Sequence, residues 1–187
     1  MLTGEHANSL WTFSLDFYAL DGVSARLIEW QDRDGLDINV VLCLCWYAGR
    51  GVFLDENAVS AMVAAVEPWR VHVIAPVRAA RRALKTEASL RTMPDVESLR
   101  KQLLKLELQL ERSVQERLQL FSDALGQSGA TDAESLFKGR FVEMLARYAK
   151  ACGVVLPEFE RLAFAACLQG YVVDGEYAIR IEEKSSK

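Results

Sequence analysis

Residues 38–48 (INVVLCLCWYA) carry one polar side chain, Asn39, in eleven positions. A helix that is apolar on every side has to be enclosed by protein or lipid. Eleven residues are about half of the ~20 a membrane span needs, so the stretch predicts the central helix of a globule. Asp37 stands where an N-cap belongs, and Gly49 and Gly51 close the segment. The rest of the chain must supply the elements that surround it.

The surrounding signals are helical. Ser9 caps a short helix whose Leu10, Phe13, Phe17 and Tyr18 recur at spacings of three and four. Ser24 is positioned to cap a second, ended by Gly35, and Asp55 a fourth, with Val59, Met62, Val63 and Val66 on its apolar face. Pro68 begins or kinks a fifth that runs to about residue 90, with a bend expected at Pro76. Eleven glycines and four prolines in 187 residues are few chain breakers, which favours helices over many short strands.

From 96 to 125 there is neither Gly nor Pro. Val96, Leu99, Leu103, Leu106 and Leu110 follow a heptad spacing, which Val114, Leu118, Phe121 and Leu125 continue after one stutter. Thirty helical residues span ~45 Å, about the width of a compact chain of this size. The residues 126–131 (GQSGAT) read as a loop, and Thr131 with Glu134 as a capping box. Two further helices follow, at about 131–152 and 157–170. The run from Tyr171 past Asp174-Gly175 to Ile179 suits a short C-terminal hairpin. The expectation is a single all-α domain over 1–187. An N-terminal bundle (9–90) surrounds the helix 38–48, and the long helix (about 96–125) packs with the two C-terminal helices.

The net charge of −4 argues against a dedicated nucleic-acid or membrane-surface binder. Its distribution is uneven. Residues 1–69 hold ten acids and three bases, and residues 70–91 hold six bases and one acid. The cysteines, Cys43, Cys45, Cys152 and Cys167, form no C-x-x-C pair, and only His6 and His72 could assist them. They read as reduced thiols, with no metal and no cofactor expected. The polar N-terminus has no signal-peptide pattern, so a soluble cytoplasmic protein is expected.

Two clusters are candidates for chemistry. Gln31, Asp32, Asp34, Asp37 and Asn39 form a polar set in a segment that holds all four tryptophans; carboxylates beside an apolar wall suit acid–base work, while caps and turns are their structural use. On the helix 68–90, Arg70, Arg78, Arg81, Arg82 and Lys85 fall on one side and Trp69, Val73, Val77, Ala80 and Leu84 on the other. Arg78, Arg81, Arg82 and Lys85 are a candidate anion-binding face for phosphate or RNA. Equally, the arginines suit internal pairing with carboxylates, with Arg70 and Arg78 the leading choices to meet Asp32 or a neighbouring acid. There is no Walker motif, no G-x-S-x-G and no H-E-x-x-H.

The segments 10–18 (LWTFSLDFY), 22–23 (GV), 27–42 (LIEWQDRDGLDINVVL) and 44–46 (LCW) resemble a bacterial family of uncharacterised proteins, a domain of unknown function. So do 68–70 (PWR), 76–78 (PVR) and 81–85 (RRALK). The resemblance covers about 9–90. It implies a small cytosolic helical protein and supplies no activity, cofactor or catalytic residue. Gln31, Asp32, Asp37, Asn39, Trp46, Trp69, Arg70 and Arg78 match its motif positions. Three functions stay open. The first is a non-enzymatic interaction or adaptor protein, with a protein partner or a second copy on the long helix. The second is a small-molecule or enzymatic site where loop 31–39 meets helix 68–90, built from Gln31, Asp32, Asp37, Asn39, Arg70 and Arg78. The third is RNA or phosphate binding on the basic face.

Overall fold

The computed structural model describes residues 9–124 and 134–173. Every regular element among these residues is helical, in the order α1 (Leu10–Tyr18), α2 (Val23–Asp34), α3 (Ile38–Gly49), α4 (Glu56–Trp69), a π turn (Arg70–Ile74), α5 (Ala75–Thr86), α6 (Ala88–Arg91), α7 (Val96–Ala124), α8 (Glu134–Ala151) and α9 (Glu158–Val173). The fold is all-α.

Caps explain most of the starts. Ser9 accepts a hydrogen bond from the Thr12 backbone N–H, Asp37 from that of Asn39 and Asp55 from that of Ala58. Ser24 does not cap α2. The helix starts one residue earlier, after Gly22, whose φ of +79° turns the chain into it.

α3 is the centre, as its composition requires. Every residue from Asn39 to Ala48 is buried. Its neighbours are α1, α2, α7, α8 and α9, so the last two helices complete the shell around α3. One hydrophobic cluster runs from Leu10 to Leu168. Phe164 of α9 joins its parts, at 4.8 Å from Trp30, 5.9 Å from Phe17 and 6.5 Å from Phe141, ring centre to ring centre.

Three expectations are corrected. Helices 55–66 and 68–90 are one continuous helix, Glu56–Thr86, and the four-residue α6 follows it. Pro68 sits within α4, and the irregularity near Pro76 is a π turn rather than a break. Pro76 has no N–H and its ring needs room at the carbonyl one turn back. The widened turn, with the Ala75 N–H bonded to the Arg70 carbonyl, provides that room. Second, the long helix α7 packs mainly on α5, α3, α1 and α4, while α8 and α9 pair with each other. Its buried face follows the heptad stripe only in the second half: Val114 and Leu118 are buried and Leu110 packs on the core, whereas Leu99 and Leu106 are exposed and the polar Glu107 and Gln115 are buried. Third, the start of the expected hairpin, 171–173, continues α9 as helix. The remainder of that hairpin, the 126–131 loop and Thr131 of the capping box lie outside the described residues.

The continuous helix is also long and apolar enough, by length and composition, to cross a membrane. In this fold Val59, Met62, Val66 and Ile74 turn into the core, and α4 lies against α8.

α9 is tied to α2 by a buried carboxylate. Glu160 accepts from the Trp30 indole N–H at 2.7 Å and from Arg33 at 2.9 and 3.1 Å. Hydrogen bonding from Arg33 leads in holding its carboxyl below the usual range. A carboxyl with a depressed folded-state pKa stabilises fully above its unfolded value, near 4.5, and loses that contribution as pH falls through the folded value. Glu160→Gln should therefore destabilise the protein by about 1–2 kcal/mol at neutral pH, a charged hydrogen bond discounted for the half-exposed arginine. The difference from wild type should shrink as pH falls below about 4.5, read by urea denaturation across that range.

Candidate functional site

The π turn decides where the arginines point. Val59, Met62 and Val66 are buried, and an unbroken α-helix would continue that face near Val73. One extra residue in the turn moves the buried position to Ile74. Arg78 and Arg81, four and seven residues on, then share the inward face, whereas Trp69 lies outside, 39% exposed. The expected division into an apolar core face and a cationic outer face is thus reversed at these positions.

What the two arginines meet is α7. Arg78 donates to Glu107 at 2.6 Å, and to Glu111 and the side-chain amide oxygen of Gln31 at 2.5 Å. Arg81 donates to the other oxygen of Glu107 at 2.5 Å. Glu107 is only 4% exposed. Burial pushes its carboxyl up, but the hydrogen bonds from Arg81 and Arg78 outweigh that and leave it below the ordinary value. At Glu111 burial prevails over the attraction of Arg78, and the carboxyl is raised. Glu107 and Glu111 were not singled out by the sequence reading. The available signal was two acids four apart on α7, opposite arginines three apart on α5.

Gln31, Asp32, Asp37, Asn39, Arg70 and Arg78, from α2, the start of α3 and the continuous helix, all line one cleft of about 270 Å³. Leu36, Ile74, Ala75 and Ala79 give it an apolar floor. Arg82 also lines it and pairs with Asp32 at 3.0 Å, both about half exposed. Hydrogen bonding from Arg82 leads in lowering the Asp32 carboxyl. Arg70 pairs with Glu67 on its own helix at 2.6 Å rather than with Asp32. The carboxylates that neutralise the basic stripe come from α7 at Glu107 and Glu111 and from the first 69 residues at Asp32 and Glu67.

Asp37 sits under the cleft wall. It accepts from the backbone N–H of Asn39, while burial raises its carboxyl. Its own N–H donates to the Tyr148 hydroxyl at 2.7 Å. Asp37 and Arg70 also border a second hollow, of about 380 Å³, that reaches Tyr148 and Cys152. Tyr148 and Cys152 lie more than a hundred residues from Asp37, and nothing in the sequence links them to it.

Other chemistry is poorly served. Burial pushes the Cys43 and Cys45 thiols up, which makes them inert as nucleophiles. Among the described residues no group of three or more His, Cys, Asp or Glu side chains could hold a metal ion.

The model of a family described as proteins of unknown function, DUF2390, matches residues 9–118. The chain belongs to this family. The DUF2390 segment contains the whole cleft and both α7 carboxylates, and ends before Tyr148. No curated protein and no solved structure matches the chain.

The two kinds of ion pair predict different losses. Arg78→Ala leaves buried Glu107 with one cation and Glu111 with none, and should destabilise by about 3–5 kcal/mol. Arg82→Ala removes a half-exposed pair and should cost less than ~1 kcal/mol. Urea unfolding of the two variants side by side checks the contrast.

Proposed function

We propose that the protein binds a small carboxylate in the cleft between the 31–39 segment and the π turn. One observation carries this reading: Arg70, at the π turn, and Arg82, three turns further along the same helix, border a single cleft with the polar groups of the 31–39 segment. Their present partners, Glu67 and Asp32, are half exposed. Exchanging such a partner for a ligand carboxylate costs little, because exposed pairs contribute about 0–1 kcal/mol. Arg78 is different. It is held by Gln31, Glu107 and Glu111 and serves as a fixed post. The apolar floor suits a short carbon chain, and about 270 Å³ falls just below the usual range for ligand sites, roughly 300–1,000 Å³. A π turn inside a helix frequently accompanies function. Binding, without a catalytic role for the cleft, is the extent of the proposal.

The test is thermal shift and calorimetry on the full chain with acetate, butyrate, succinate and glutarate. A ligand at a hundred times its Kd should stabilise by about 2.7 kcal/mol. The double variant Arg70→Ala/Arg82→Ala should remain folded and lose the effect. No shift with any of the four, or an equal shift in the variant, would reject the reading.

A second reading rests on a separate observation. Leu99 and Leu106 lie exposed on α7, and α5 has no buried residue, so this pair of helices offers apolar surface to a protein partner or a second copy. Leu99→Asp/Leu106→Asp should abolish any nuclease-resistant co-purifying protein, or shift the chain to monomer in sedimentation, without lowering its stability. RNA or phosphate binding on Arg78, Arg81, Arg82 and Lys85 draws no comparable support, since Arg78 and Arg81 are committed to the buried Glu107.

A further inference from the structure

A second depression lies on the other face of the Gln31–Arg78 bridge. It is a groove of about 300 Å³ between α1–α2 and α7, walled by Trp11, Leu15, Ile28, Leu104 and Leu108. Four of those walls are more than 40% exposed: Leu15, Ile28, Leu104 and Leu108. Apolar side chains left this open around a concavity form a surface that a ligand can cover.

The groove's inner end holds an unmet hydrogen-bonding need. Ser14 Oγ and Gln115 Oε1 have no partner, although the two residues are 4% and 2% exposed and both line the groove. They stand opposite each other. α1 and α7 run antiparallel here, with the Leu10 N–H donating to Gln119 at 2.9 Å, and Ser14 and Gln115 are each one turn further along.

The chemistry of the missing partner follows from the chain of amides behind it. Asn39 turns its side-chain carbonyl oxygen toward Gln115. That oxygen accepts from Gln115 Nε2 at 2.9 Å. The Gln115 carbonyl oxygen is therefore the end left over, and it can only accept. Ser14 can donate or accept. The missing group is a donor.

Charge narrows the choice. Arg78 and Arg81 at the groove are balanced by Glu107 and Glu111, and Arg82 by Asp32. No cation there lacks a carboxylate. We propose that this groove binds a small neutral amphiphile, with an apolar body against the leucines and a hydroxyl or amide N–H that donates to Gln115 Oε1. The groove shares Gln31, Asn39, Arg78 and Arg82 with the carboxylate cleft, but binding in it does not depend on that cleft being occupied.

The probes are octan-1-ol and 1-methoxyheptane, which match in size and differ in having a donor. Each is titrated into the full-length protein and followed by the side-chain amide signal of Gln115 and the indole signal of Trp11 in nitrogen–proton correlation spectra. Octan-1-ol should bind about 3- to 10-fold tighter than the ether, the range one net hydrogen bond allows. Gln115→Met should bring that ratio to about 1. Should that variant fail to fold, Leu15→Asp tests the same groove from an exposed position and should weaken both probes about 10-fold. Equal affinity of the two probes for the wild type would overturn the proposal. So would signals that move away from the groove, indifference to Leu15→Asp, or no saturable binding of octan-1-ol, which would leave Ser14 and Gln115 as partners of ordered water alone.

Discussion

The buried carboxylate of Glu107 is the constraint from which the rest of the architecture follows. A charge out of contact with water is tolerated only when it is paired and hydrogen-bonded. Here both oxygens are taken, one by Arg78 and one by Arg81. Two arginines three apart can reach one carboxylate only if they share a helix face. That fixes the rotation of α5 against α7, and with it the need for a π turn upstream, because α4 presents its apolar face in a different phase. The ion cluster thereby locks two long helices that have few buried apolar side chains at their contact.

The same cluster organises the surface. Gln31 and Arg78 form a bridge with a polar cleft on one side and an apolar groove on the other. Asn39 borders both. Its backbone N–H is held by Asp37, its side-chain oxygen accepts from Gln115, and it is the one polar residue in the first ten of the central helix. A polar group at the end of an apolar helix looks like a flaw in the pattern. It is the joint at which the cap of α3, the floor of one cleft and the inner wall of the other are connected.

How much of this could be read from the sequence varies with the physics involved. The central helix, its Asp37 cap and the caps at Ser9 and Asp55 were legible, because a run of apolar residues and a side-chain oxygen at a helix start act locally. The convergence of Gln31, Asp32, Asp37, Asn39, Arg70 and Arg78 on one cleft was also anticipated, from charge and residue type, although the direct partner of Arg70 proved to be Glu67. The face of α7 was legible in its second half, where Val114 and Leu118 are buried, and not in its first. Its leucine spacing predicted a seam through Leu99 and Leu106, but the tertiary demand of Arg78 and Arg81 turned Glu107 inward and those leucines outward. The continuity of α4 and α5 was hidden for a different reason. Proline signals a break, and only the packing on both sides shows that the chain absorbs it as a wider turn. Tyr148 reaches Asp37 through the placement of α8 against α3, which no local pattern encodes.

The π turn makes the length of one segment count to the residue. Loops between helices absorb insertions readily, since their ends move little when a residue is added. Between Val66 and Arg78 there is no such slack. One residue more or fewer would rotate everything downstream by about 100°, the angle per residue of an α-helix, and would swing the guanidinium groups away from Glu107 while leaving the hydrophobic pattern upstream intact. The turn thus works as a fixed phase offset between two halves of a single helix. Chains that share this architecture should vary freely in which residues occupy the turn and hardly at all in how many there are.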